Sequence, residues 1–419
     1  MICANCMVSQ SLREFVFGRG SLAQCDHCGG ECGSVDEETL ASHVEALFHT
    51  TLVPFEDLPE KIKIDLVEGG ADYPLREIFD HLDCHPPTNS DAFNNLLVER
   101  LEQEFVTSDE LLVDKCFMLN DGKFTDNEFS LKWLRFLSSI RSVYRFFNRP
   151  AKEFLDELFH IFLDDYDLKK LGVVIDLGWN CPLYRARIAS SKDVLKEIQD
   201  SPARQLGAPP ANIASDQRMS PAGISVFYAA ADRGTCISEI RPLVGDFAVS
   251  GEFRPLRKLK LLDLNKLPEC QPVNDIYADD YVKHAHAVVF FKELVFQVSR
   301  PARRSEGHPY LPTQFIFEYL RVKFGDMVDG IVYSSVQQDK RGQCIALFPE
   351  KCNVADEAVC QLQLVDDIFG EEHRDSLFFV PDSLRYHRVR GVNYAQDEEE
   401  TDFLFTASDD LLELVGSRF

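Results

Sequence analysis

Four cysteines near the N-terminus are spaced as metal ligands. Cys3-Ala-Asn-Cys6 and Cys25-Asp-His-Cys28 are two C-x2-C knuckles separated by about 18 residues. Each knuckle brings two thiolates to one side of a tight turn, and two knuckles supply four sulfurs for a tetrahedral ion. Zinc is the usual ion for four thiolates, and a closed set of four leaves no open position for catalysis. The expected role of Cys3, Cys6, Cys25 and Cys28 is therefore structural or in recognition. His27 and Cys32 are spare donors. The segment is too short to bury a core, so metal binding would supply its folding energy.

A second group of polar residues lies far downstream. The stretch Arg218 to Glu239 opens on Arg218-Met-Ser-Pro-Ala-Gly223, continues as an apolar run containing Tyr228, and closes on Glu239. An arginine for phosphate, a ring for stacking and a carboxylate suit a charged, ring-containing ligand. Taken alone, the stretch reads more readily as a surface arginine, a core tyrosine and a solvated acid. Three other segments share its character. In Leu183-Tyr184-Arg185-Ala186-Arg187-Ile188, alternation points Arg185 and Arg187 to one face and Tyr184 to the other. Tyr310-Leu-Pro-Thr313-Gln314 follows Arg300, Arg303 and Arg304, and Thr313 reads as a helix N-cap. Asp329-Gly330-Ile-Val-Tyr333 ends in Ser334-Ser335 and leads to Arg341-Gly342-Gln343.

The elements that must position these residues divide the chain. With 419 residues, two or three domains are expected. The 45% hydrophobic content is that of a globular chain, and the net charge of −25 argues against a mainly nucleic-acid-binding protein. No apolar run approaches the ~20 residues of a membrane span. Of 13 cysteines, five lie in the first 32 residues and the rest are scattered, which fits a soluble protein of a reducing, cytoplasmic compartment rather than a disulfide scaffold. Residues 1–35 form the knuckle. Residues 36–170 show helical periodicity and predict an all-helical domain, with Asp36-Glu37-Glu38 as a helix start. Residues 171–395 shift to strands at 173–177, 224–230, 259–264, 330–333, 345–348 and 384–392, with helices at 191–198, 288–294 and 313–324. The fold class is α+β. An acidic tail, 396–419, follows, with a terminal helix predicted over 411–415.

Six motifs of the second half stand in the order seen in the RES domain family, named for an Arg, a Glu and a Ser. They are Leu183-Tyr184-Arg185, Arg218 to Gly223, Glu239, Tyr310 to Gln314, Asp329 to Ser335, and Leu347-Phe348. Each is weak alone, and their order carries the resemblance. Two departures stand out. Thr235-Cys-Ile-Ser-Glu239 replaces the family's Ala-Leu-Ala-Glu, and residues 365–375 look like an insertion. Adjacent Ser334 and Ser335 leave the family serine ambiguous, and motif spacing favours Ser335. The first half resembles a Cys-rich knuckle followed by a HEPN-like helical domain, an arrangement found with some RES proteins.

The resemblance implies an ADP-ribosyltransferase-like fold that consumes NAD+, as in toxins of bacterial toxin–antitoxin pairs and in defence. ADP-ribose would pass to water, phosphate or a protein. Glu239, Arg185 and Ser335 are then the expected catalytic residues, and Arg185, Arg218, Tyr228 and Ser335 the expected NAD+ contacts. The chemistry is consistent. Guanidiniums hold a pyrophosphate bidentately, Tyr228 can stack on the nicotinamide, and Glu239 faces oxocarbenium charge on the ribose. An antitoxin or regulatory protein, and a homo-oligomer, are the partner classes left open. Two alternatives remain. One is a non-catalytic recognition protein. The other is a HEPN-type ribonuclease built on Arg76 and His81, whose R-x4-H spacing fits that family. His284 and His286 read as satisfied core or rim histidines.

Overall fold

The computed structural model describes residues 1–67, 74–105, 115–163, 168, 171–269, 275–299, 308–335, 342–355 and 376–392. The Arg300, Arg303 and Arg304 cluster, Arg341, the insertion at 365–375 and the tail at 396–419 lie outside the described residues. The structure is a mixed α and β protein with a cysteine cluster at one end of the chain and a large sheet in the C-terminal half.

The N-terminal part opens with strand β1 (Ile2–Cys3), helix α1 (Gln10–Arg19), β2 (Ser21–Gln24) and β3 (Glu31–Val35), an antiparallel three-stranded sheet in the order β1-β3-β2. Helix α2 (Glu37–Thr51) starts where its cap signal predicts, because the Asp36 side chain accepts from the Thr39 N–H at 2.8 Å. Helices α3 (Glu60–Val67), α4 (Ile78–Cys84), α5 (Asp91–Phe105), α6 (Glu128–Ser138) and α7 (Arg149–Leu163) follow. The all-helical expectation needs one correction. Strands β4 (Leu52–Pro54) and β5 (Phe117–Leu119) pair antiparallel within this part.

The large sheet has nine strands: β6 (Val174–Leu177), β7 (Leu183–Ile188), β8 (Phe227–Ala230), β9 (Phe247–Pro255), β10 (Leu259–Asp263), β11 (Gly330–Ser334), β12 (Gln343–Leu347), β13 (Leu377–Phe379) and β14 (Arg385–Arg388). Eight of them run β13-β9-β7-β8-β12-β11-β10-β6, and β14 pairs with β9. Between them lie helices α8 (Lys192–Asp200), α9 (Pro202–Leu206), α10 (Arg233–Glu239), α11 (Tyr281–Ser299) and α12 (Leu311–Phe324). The sheet covers most of the strand segments expected from sequence. However, Ile224 to Val226 precede β8 rather than belong to it, and β9 was not expected at all. Strand β9 hides because Gly251 and Pro255 interrupt its apolar pattern. Gly251 is there for space: a Cβ would meet Phe379 at 2.6 Å and Leu206 at 2.8 Å.

Each face of the sheet is buried, so β11 is apolar along both faces. One face packs on aromatic side chains of α6, α7, α11 and α12, including Phe136, Phe159, Phe291 and Phe317. Leu183, Phe227, Phe253 and Val332 pack on the other face with Ile198 and Leu206 of α8 and α9. A further core joins the cysteine segment to α2 and α5, and it also takes in Ile276 and Tyr277, which precede α11, and Tyr281 at its start. The hydrophobic cores therefore do not divide at 35/36 or 170/171. Helices α6 and α7 share their core with the large sheet, and α11 bridges both halves. No helix among the described residues is long and apolar enough to cross a membrane.

Candidate active site

Strand β7 makes six residue pairs with β9 but only one, Tyr184 with Ala230, with β8. The two strands part beyond that pair. A cavity of about 440 Å3 opens there, a volume in the usual range for small-molecule sites. Its lining includes Arg185 from β7, Tyr228 from β8, Glu239 from α10, Tyr333 from β11, Cys344 from β12 and Arg218.

Glu239 is delivered by a capped helix. The Asp232 carboxylate accepts from the Thr235 N–H at 2.8 Å and from the Thr235 hydroxyl at 2.6 Å, so α10 starts at a fixed point and ends on Glu239. The Ser335 hydroxyl donates to Glu239 Oε1 at 2.6 Å. Ser334 turns away and donates to Asn265 Oδ1 at 2.8 Å. The structure thus brings Ser335, not Ser334, to the acid, because the last residue of β11 and the next one point to opposite faces. Gly342 holds this geometry in place: its carbonyl accepts from the Ser335 N–H at 2.8 Å, and any side chain there would run into Thr235.

Arg218 Nη2 lies 3.6 Å from Glu239 Oε2. Its backbone is held from α12: the Thr313 hydroxyl donates to the Arg218 carbonyl, and Gln314 Nε2 donates to Asp216 Oδ1 at 2.8 Å and to the Gln217 carbonyl at 2.8 Å. This corrects the expectation for Thr313. Tyr310 occupies the cap position of α12, and Thr313 lies inside the helix as a strut for the arginine turn. Tyr228 adds a third tie, its hydroxyl accepting from the Met219 N–H at 2.9 Å. The Tyr228 ring is half-buried and lines the cavity, and burial pushes its hydroxyl above the ordinary tyrosine range.

The arginines carry the electrostatics. Nη1 of Arg185 and Nη1 of Arg218 are both buried with no hydrogen-bond partner among the described residues. Burial pulls the Arg185 guanidinium down to about 10, so it keeps its charge at neutral pH. For Arg218, burial opposes the charge, but Tyr333 and Glu239 outweigh it and hold the group above its ordinary value. Guanidinium nitrogens that are buried, charged and unpartnered demand an anion, since leaving such a donor unpaired is costly. Arg187, by contrast, is exposed and outside the cavity lining, with Nη1 2.5 Å from Gln205 Oε1. Tyr333, Cys344 and Arg241 were not singled out from sequence. Tyr333 lay within a recognised motif, whereas the other two had no local signal.

The Arg76 and His81 pair does not form a surface site. His81 is 2% exposed, and its Nε2 lies 2.9 Å from the Phe117 carbonyl oxygen. Burial lowers its pKa and keeps it neutral. Arg76 pairs its backbone with Phe117 and points Nη1 at Cys84 Sγ, 2.7 Å away. His286 is likewise a satisfied core residue, with Nε2 3.0 Å from Asn120 Oδ1, whereas His284 leaves Nε2 buried with no partner among the described residues.

The four knuckle cysteines converge. All their sulfurs lie within 4.8 Å of one another, with Cys3 to Cys28 at 3.6 Å and both Cys3 to Cys6 and Cys6 to Cys25 at 3.8 Å. A tetrahedron of thiolates about 2.3 Å from a central ion has edges of about 3.8 Å, so the set fits a metal. The spare donors stand outside the set of four. His27 lies 3.0 Å from Glu37 Oε1 and 2.7 Å from Ser90 Oγ, and Cys32, on β3, is not among the converging cysteines.

No curated protein matches the chain. The family model of the RES domain matches residues 182–369, a span that holds the whole lining of the β7–β8 cavity. Residues 182–369 are thus similar to the RES domain over a little less than half of the chain.

Proposed function

We propose that this protein is an enzyme that cleaves the nicotinamide–ribose bond of NAD+ and passes ADP-ribose to water, phosphate or a protein. A RES domain is consistent with a toxin-like, NAD-related activity. The observation that carries the finer reading is the pairing of a serine-held carboxylate with two buried, unpartnered guanidinium nitrogens around one cavity. Arg185 and Arg218 would take the pyrophosphate, and Tyr228 would lie against the nicotinamide. When the bond to C1′ breaks, its electron pair leaves with the pyridinium nitrogen, giving neutral nicotinamide. Positive charge develops on the ribose, and Glu239, oriented by Ser335, would face it and bond a ribose hydroxyl. The acceptor oxygen then bonds C1′ and releases its proton.

Zinc on Cys3, Cys6, Cys25 and Cys28 would be structural, tying the N-terminal core together. The reading extends to a cytoplasmic toxin kept in check by an antitoxin or regulatory partner, with the HEPN-like helical part docking that partner. The test is incubation with NAD+, with and without phosphate, and identification of the products. Free ADP-ribose, a phosphorylated ADP-ribose and labelled protein separate the three acceptors. Glu239→Ala and Arg185→Ala should abolish nicotinamide release. Metal-loaded protein that leaves NAD+ intact, or variants as active as the parent chain, would refute the reading.

A further inference from the structure

Two residues beyond Glu239 the backbone enters a region that L-residues seldom visit. Arg241 has φ 46°, in the left-handed region, which costs a non-glycine residue on the order of 1 kcal/mol. Its N–H donates to the Ser238 carbonyl at 3.1 Å, closing the turn that ends α10. Glycine would make this turn without strain, as Gly245 does four residues later at φ 100°. The position instead holds an arginine that is among the cavity-lining residues and is exposed to solvent. Among the described residues its guanidinium has neither a hydrogen-bond nor an ion-pair partner.

The cavity lining holds three arginines, 185, 218 and 241, against two carboxylates, Asp216 and Glu239. Asp216 is already taken by Gln314 and Glu239 by Ser335. The buried Nη1 atoms of Arg185 and Arg218 have no partner among the described residues. We infer that Arg241 completes a phosphate-binding subsite in the cavity, facing the two buried arginines across the ligand. The strained turn is the device that swings a cation from the end of the helix carrying the acid to the phosphate side. The inference rests on the dinucleotide reading. The phosphate group has two sources: the pyrophosphate of the dinucleotide, or free inorganic phosphate as acceptor.

Calorimetric titration of the full chain with ADP-ribose and, separately, with inorganic phosphate tests it. Arg241→Ala should weaken the ligand that uses the subsite about five- to tenfold, the lower range for a charge-assisted hydrogen bond at an exposed site. Arg241→Gly should show the same loss with an equal or higher melting temperature, because it relieves the backbone strain, whereas Arg241→Lys should restore part of the affinity. Loss for ADP-ribose alone identifies the pyrophosphate, and KM for NAD+ then rises with kcat unchanged. Loss for inorganic phosphate alone identifies the acceptor. Unchanged affinity of Arg241→Ala for both ligands overturns the subsite while leaving the dinucleotide reading intact. Failure of the parent chain to bind either ligand removes both.

Discussion

Adjacent serines offer the sharpest experiment on the site. Ser335→Ala removes the hydroxyl that donates to Glu239 Oε1 at 2.6 Å, while Ser334→Ala removes one that serves Asn265 instead. A hydrogen bond to a charged group is worth about 1.5–3 kcal/mol. The Glu239 side chain is 21% exposed, so water can replace part of the lost donor and the lower end applies. At about 1.4 kcal/mol per decade, that predicts a fall of roughly tenfold in kcat for nicotinamide release. KM should move little, because the interaction orients the acid rather than binding the dinucleotide. Ser334→Ala should keep full activity. The assay is nicotinamide release by chromatography, with circular dichroism as the folding control. Equal activity in both variants, or a larger loss in Ser334→Ala, would refute the assignment of Glu239 as the acid facing the ribose with Ser335 as its orienting partner.

Three further outcomes follow from the same geometry. Thr313→Val leaves the Arg218 carbonyl without its donor, at a cost of about 1–3 kcal/mol. KM for NAD+ should rise, and an unchanged KM would show that α12 does not hold the arginine turn. The purified chain should carry one metal ion, measurable by elemental mass spectrometry, and lose it in Cys3→Ser or Cys28→Ser. Chelation should then lower the melting temperature, since Cys3, Cys6 and Cys25 lie in the core with Leu40 and Phe48. Asp329 gives a pH dependence. Burial alone would raise its carboxyl, but the Arg257 fork, the Lys260 N–H and Lys351 outweigh burial and hold it below the usual carboxylate range. The stability it contributes is complete above the unfolded value of about 3.9 and is lost as pH falls through the lower folded value. Asp329→Asn should flatten the acid limb of a melting-temperature profile, and an unaltered limb would count against that linkage.

Local signals in the sequence were enough for the pieces of the site. The C-x2-C spacing placed four sulfurs together because a knuckle is a property of a few consecutive residues. Asp36 and Asp232 stand at helix starts because a cap needs only the next three residues. The motifs that drew attention to Arg185, Arg218 and Glu239 lie around one cavity, while Ser335, expected as an NAD+ contact, is fully buried outside the lining and donates to Glu239. Strand β9 was not legible, since its Gly251 answers to Phe379 and Leu206, which are distant in sequence.

What the sequence determined by itself was the chemistry available: four thiolates at one end, and an arginine, a carboxylate and a hydroxyl in family order at the other. Tertiary structure alone decided that Ser335 donates to Glu239 while Ser334 serves Asn265, that Thr313 braces Arg218 instead of capping its own helix, and that His81 is buried against a carbonyl. It also decided that α6 and α7 pack with the sheet, and that Arg241 joins the cavity lining. The physical reason is one of range. Caps, knuckles and alternation are set by neighbours along the chain, whereas the direction of a side chain and the partner it finds are set by packing between segments far apart in sequence.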